Sequence, residues 1–182
     1  MDLLAGIESR TSAIKLSAPG PTREHLEHII HAGTRAPDHG RLRPWRFIVL
    51  EGDARGRLGD AMAAMLKRKV ADAPAEQLAA ERKKALRAPT IIAVAAKIAK
   101  GKIPEIEQVA AVAAATQNMF LAANALGYGA MWKTGGAAYD NDVKAMFGLT
   151  PEDHIVALLY LGKADIPGQL VEAPTSEVTT WL

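Results

Sequence analysis

A chain of 182 residues falls near the usual size of one domain, roughly 150 residues. Its composition, 49% apolar and 23% charged, suits a globular core and argues against a disordered or fibrous chain, and with no cysteine it has no disulfide framework, Cys-ligated metal or thiol nucleophile. The net charge of +2, from 22 basic and 20 acidic side chains, is too balanced for a protein whose main task is to neutralise many phosphates, so any anion binding must come from local clusters. Met1 to Arg10, with acidic Asp2 and Glu8 and only a short apolar run, does not read as a secretion signal, and a cytoplasmic protein is expected.

Asp2 to Arg10 reads as a short helix. Thr22 then precedes Leu26, Ile29 and Ile30 at helical spacing, and Gly33 ends that second helix. Pro37 to Pro44 reads as a loop, because proline, aspartate and glycine punctuate it. Phe47 to Leu50 is a buried strand, Asp53 to Val70 and Glu76 to Arg87 are helices, and Thr90 to Val94 is a second buried strand. The uncharged stretch Gln108 to Leu126 lies in a long helix from about Glu105. Its Thr116, Gln117, Asn118 and Asn124 mark it as a buried soluble helix, not a membrane span. Gly129 to Gly136 is a short strand running into a glycine turn, Asn141 to Phe147 a short helix, and Ile155 to Leu161 the clearest strand. From Gly162 onward there is no sustained period, yet Val171, Val178 and Trp181 need cover. That tail and the apolar long helix together favour a homodimer.

Motifs for hydrolytic triads, zinc proteases, P-loops and dinucleotide folds are missing. His25, His28 and His31 share a helical arc, but the pattern reads as a solvated face, and no metal is expected. The runs Lys67-Arg68-Lys69 and Arg82-Lys83-Lys84 also read as solvated helix faces, so nucleic acid is not expected as a partner. A dispersed set remains: Arg10-Thr11-Ser12, Arg35, Arg41, Arg43, Arg46 and Lys133, set among tryptophans and glycines. A phosphate-bearing aromatic cofactor uses this mixture of guanidinium groups, hydroxyls and flat apolar surface.

The ordered motifs Arg10-Thr11-Ser12, Arg35-Ala36-Pro37-Asp38-His39, Arg43-Pro44-Trp45, Arg87-Ala88-Pro89, Trp132-Lys133-Thr134-Gly135 and Tyr160-Leu161-Gly162 resemble the FMN-dependent nitroreductase family, especially its small bacterial YdjA-like branch. The resemblance spans essentially the whole chain. It implies a single FMN-binding domain over 1–182 with an α+β fold: a mixed, mainly antiparallel sheet covered by helices, in an intertwined homodimer with FMN at the subunit interface. The tail 163–182 would pack on the partner subunit. By the same resemblance, Arg10, Thr11 and Ser12 hold the flavin phosphate and ribityl chain, Arg35 and His39 reach the cofactor from the other subunit, and Trp132, Lys133 and Thr134 lie beside ring and phosphate. Arg10 and Lys133 would be the charge-assisted phosphate donors. Arg41 and Arg43 depart from the Asn and Gln common in the family, which alters the contacts available at the ring edge.

The implied activity is transfer of reducing equivalents from NADPH or NADH, through FMN, to a small nitro, quinone-like or related electrophilic acceptor. The flavin carries the redox chemistry, so no side chain is assigned as a catalytic nucleophile. A flavin-binding storage or sensor module with little turnover is the alternative.

Overall fold

A computed structural model of the chain describes residues 2–171 and 174–182. Thr22 opens a helix as its type predicts: its hydroxyl accepts a hydrogen bond from the amide of His25 at 3.2 Å. The helices are α1 (Leu3–Ser9), α2 (Arg23–Gly33), α3 (Asp53–Lys69), α4 (Ala75–Lys84), α5 (Glu105–Ala125) and α6 (Asn141–Met146). The strands are β1 (Lys15–Ser17), β2 (Trp45–Leu50), β3 (Thr90–Ala96), β4 (Gly129–Lys133) and β5 (His154–Ile166). Asp140 caps α6 by accepting hydrogen bonds from the amides of Asp142 and Val143, and Arg68 at the end of α3 grips the same carboxylate at 2.8 Å. The basic run on α3 is thus partly structural.

β5 is the hub of the sheet. It pairs with β3, β4 and β1, β3 pairs in turn with β2, and every described pairing is antiparallel, so the expected mixed sheet is antiparallel throughout. The nitroreductase-like α+β architecture is otherwise as expected. β5 continues to Ile166, beyond the apolar run that marks it in sequence, because backbone pairing with β1 holds Lys163 and Ala164 in register with Ser17 and Leu16. α4 stops at Lys84, short of the expected Arg87, and Ala85 to Arg87 continue in tighter turns that bond three residues back.

Alternation along the strands divides the core in two. Ile91, Ala93, Met131, Leu158 and Tyr160 face Leu58 and Met62 of α3 and Val143 of α6. Ile92, Val94, Ala130, Leu159 and Leu161 face Leu26 and Ile29 of α2 and Val112, Met119 and Phe120 of α5. The alternation slips once, where Val94 pairs with Ala157 but Ala95 pairs with Ile155, leaving Val156 as the extra residue of a β-bulge. No described helix is long and apolar enough to cross a membrane.

Candidate functional site

Two adjoining cavities open where α4 and β1 approach the exposed end of β4. The larger, about 370 Å³, lies between Lys15, Leu16, Leu86, Arg87, Met131 and Lys133. Arg87, Met131 and Lys133 also line the second, about 210 Å³, which reaches Glu81, Lys84, Thr134, Gly135, Gly136 and Tyr160. Met131 and Lys133 point into this groove because they are two residues apart on one strand, and Tyr160 joins them because it is paired with Met131 across the β4–β5 ladder. Gly135, with φ of 63°, makes the turn that carries the chain past Thr134 along the rim.

The groove is positively charged. Lys84 donates to Glu81 at 2.5 Å and Lys15 stands 3.7 Å from Asp165, whereas Arg87 and Lys133 have no acidic partner among the described residues. Its floor holds the phenol of Tyr160, which burial pushes up to about 12, with Arg87 opposing and Glu81 adding to the rise. The phenol therefore stays a hydrogen-bond donor across the ordinary pH range. Apolar walls from Leu16, Leu86 and Met131, flanked by cations, make a seat for a flat, anionic ligand.

The residues expected to bind the cofactor lie in three places. Arg10 ends α1 with its guanidinium carbon 5.0 Å from the centre of the Phe120 ring, a cation–π contact. Thr11 lines a separate cavity with Asn124, Tyr128 and Pro167, and the Ser12 carbonyl packs so closely on Gly168 that a Cβ there would stand 2.1 Å away. Lys133 and Thr134 belong to the groove. Arg35 is exposed just past α2, while His39 Nδ1 lies 2.5 Å from Glu107 Oε2 at the start of α5. None of these cavities brings Arg10 together with Lys133, the two expected phosphate donors.

Trp132 lies on the opposite face of β4 from Lys133. Strand alternation turns its indole away from Lys133 into the opposite half of the core, where Nε1 donates to the Val156 carbonyl at 3.0 Å. That carbonyl belongs to the bulge residue, so Trp132 stabilises the sheet and its side chain is not in the groove.

The sequence reading gave no site role to Lys15, Glu81 or Lys84, nor to Arg87 and Tyr160, which it met only as motif residues. Lys84 sits in a basic run that looks uniformly solvated. Arg82 of that run does face out, paired with Asp60 at 2.6 Å, but Lys84 turns inward to Glu81 three residues before it. Among the histidines, His25 is structural, bonding Tyr128 through Nδ1 at 2.8 Å.

A sequence profile of the nitroreductase family matches residues 7–163. The chain belongs to that family. YdjA of Escherichia coli strain K12, provisionally named an NAD(P)H nitroreductase, is 37% identical over 185 residues, covering 98% of this chain and 99% of YdjA. A nitroreductase-like family protein from Bacillus cereus superposes with a TM-score of 0.85 at 26% identity, over all of this chain and 96% of that one. A provisionally named nitroreductase in complex with FMN, from Desulfovibrio desulfuricans, shares the fold with a TM-score of 0.77 at 23% identity, over 100% of this chain and 97% of its own. Within the nitroreductase family, then, this chain carries a cationic groove built from β1, β4, β5 and the end of α4.

Proposed function

We propose that this nitroreductase-family protein is an NAD(P)H-dependent flavoprotein oxidoreductase whose groove seats the FMN ring, and that it reduces small nitro, quinone-like or related electrophilic acceptors. The observation that carries the reading is the pair of cations without an acidic partner among the described residues, Arg87 and Lys133, between apolar walls in a chain whose relatives include an FMN complex and a named NAD(P)H nitroreductase. When bound there, FMN supplies the redox chemistry, and the protein supplies binding, orientation and charge. Arg10 with the hydroxyls of Thr11 and Ser12 suits the phosphate. Lys133 belongs with Lys15 and Arg87 beside the ring, where their charge favours the electron-rich reduced form. Arg35 and His39 lie apart from the groove residues within one protomer and reach a cofactor only from a second copy, so the working unit is a homodimer. A chain with no cysteine suits the reducing cytoplasm.

The test is titration with FMN and with riboflavin, which lacks the phosphate. Arg10→Ala should weaken FMN by about 1.5–3 kcal/mol, the range for hydrogen bonds to charged groups, and leave riboflavin nearly unchanged. Lys133→Ala should weaken both flavins. Anaerobic bleaching of the bound flavin by NADPH, followed by reoxidation by a nitroarene, then separates an enzyme from a storage module. Flavin affinity unaltered in both variants removes the assignment.

A further inference from the structure

We infer that Gln108 is a positioning residue for donor choice: through the loop between β3 and α5 it holds Arg41 and Arg43 in the strained shape that offers both guanidinium groups to a donor's phosphates. The inference rests on the reading that NAD(P)H is the electron donor.

Gly40, Arg41 and Arg43 adopt φ of 72°, 54° and 51°. For the two arginines that conformation is costly, and it persists only where the surroundings fix it. Asp38 fixes one side by accepting from the Arg43 amide at 2.6 Å. The start of α5 and the loop before it fix the other. Glu107 bonds His39, and Ile103 packs so closely on Gly40 that a Cβ there would stand 3.2 Å from Ile103 Cδ1. The Lys97 amide joins the two loops again by donating to the Pro44 carbonyl at 2.8 Å. Both arginines are exposed, and a planar guanidinium can bond a phosphate twice.

Gln108 holds Ile103 in place. It is 2% exposed, and a buried amide costs free energy unless its hydrogen bonds are made. Every bond its side chain makes to a described residue goes to one loop. Oε1 accepts from the Ala99 amide at 2.9 Å, and Nε2 donates to the Ala99 carbonyl at 2.9 Å and to the Ile103 carbonyl at 3.1 Å. Asp153 pins the preceding residue, accepting from the Ile98 amide at 2.8 Å. Methionine would fill this place on an apolar helix, so the amide serves the loop's backbone and nothing else. No residue of that loop lines the groove, and what rests on it is the turn that carries Arg41 and Arg43.

Trypsin cuts a native chain after Lys and Arg only where the backbone opens, so its rate at each site reads the brace directly. Gln108→Met fills the same space without the three bonds. It should speed cleavage after Lys100, in its own loop, and after Arg41 as well, each by at least about tenfold, while cleavage after Lys69 at the end of α3 keeps the parental rate. Faster cleavage after Lys100 with a parental rate after Arg41 would show that Gln108 serves its own loop alone, and overturns the proposal. Ile103→Ala leaves the Gln108 bonds in place and removes the contact with Gly40. It should speed cleavage after Arg41 and not after Lys100, and it decides the matter should Gln108→Met fail to fold. Kinetics supply the second arm. Gln108→Met should lower the kcat/KM ratio for NADPH over NADH by about threefold, and no further when Arg41→Asn and Arg43→Gln are already present. An unchanged ratio, or a further drop in that background, overturns the role in donor choice. If neither donor bleaches the bound flavin, the reading of the activity fails, and cleavage after Arg41 still decides whether Gln108 holds the arginines.

Discussion

Trp132 has a part in the sheet that its motif does not disclose. The bulge at Val156 interrupts the β3–β5 ladder, and the Trp132 indole bonds the carbonyl of that residue from within the sheet. Trp132→Phe keeps the ring and removes the donor, leaving a part-buried carbonyl unpaired. It should lower stability by about 1–3 kcal/mol in urea denaturation while flavin affinity stays within about twofold. An unchanged urea midpoint would show that the bond contributes nothing. Two carboxylates tie the stability of the fold to pH. Burial pushes Asp153 upward, but the amides of Thr150 and Ile98 and the Thr150 hydroxyl outweigh it and hold the group below its ordinary value. At Asp140 burial is likewise outweighed, by Arg68 and the amides of Val143 and Asp142. A carboxylate depressed in the folded state stabilises the fold above its unfolded pKa, about 3.9, and that contribution is lost as pH falls through the folded value. Melting temperature should therefore drop steeply below about pH 4. Asp153→Asn should be destabilised at neutral pH, and its deficit should shrink in acid. A deficit of constant size from pH 7 to pH 3 would exclude this role for Asp153.

The strand β1 lies three residues long against the far end of β5, and its place depends on what β5 omits. A Cβ on Gly162 would stand 2.6 Å from the Ser17 carbonyl oxygen and 2.7 Å from Pro89 Cδ. Because the nearer atom is backbone, it cannot move aside as a flexible side chain would. Gly162→Ala should therefore push β1 off β5 at a cost of about 1–3 kcal/mol and displace Lys15 from the groove. Urea unfolding and riboflavin affinity should both register the change, and a variant of parental stability would refute the close approach. This geometry also explains which elements the sequence discloses. β3 is legible because Thr90 to Val94 is a continuous run of strand formers, and α2 because Thr22 and its apolar spacing agree. β1 carries one buried side chain, Leu16, so it has no period to detect. The end of β5 alternates exposed and half-buried residues and exists through pairing alone. Lys133 and Thr134 were legible through family resemblance. Glu81 and Lys84 sit on a helix face that looks solvated, Lys15 in a segment without a period, and Arg87 in a motif that assigns it no site role, until the fold gathers them beside Tyr160.

At the scale of the whole molecule, the chain leaves large apolar side chains exposed. Leu3 and Leu4 of α1 are 70% and 66% exposed and Trp181 is 92% exposed, far more than scattered surface residues require. If that surface forms the dimer carrying Arg35 and His39 to the partner's flavin, dilution should release monomer and FMN together, and a light-scattering monomer that keeps its flavin would contradict it. The loop between α2 and β2 carries the expected Arg35 and His39. Arg41 and Arg43 adopt φ of 54° and 51°, left-handed values that side-chain-bearing residues seldom take, and Asp38 Oδ2 fixes the second by accepting from the Arg43 amide at 2.6 Å. Each such residue costs roughly 1–2 kcal/mol, and neither guanidinium has an acidic partner among the described residues to offset it. Strain of this kind persists where the position is used, and two exposed guanidinium groups on one loop suit the additional phosphate that distinguishes NADPH from NADH. Arg41→Asn with Arg43→Gln should therefore act in two directions at once. Asparagine tolerates the left-handed region better, so the double variant should gain up to about 1 kcal/mol in stability. The kcat/KM ratio for NADPH over NADH should fall, most at low salt where charge acts at longest range, while FMN affinity holds. A stability gain with an unchanged ratio at both salt concentrations would mean that the strain serves the loop's shape alone and that donor choice is made elsewhere.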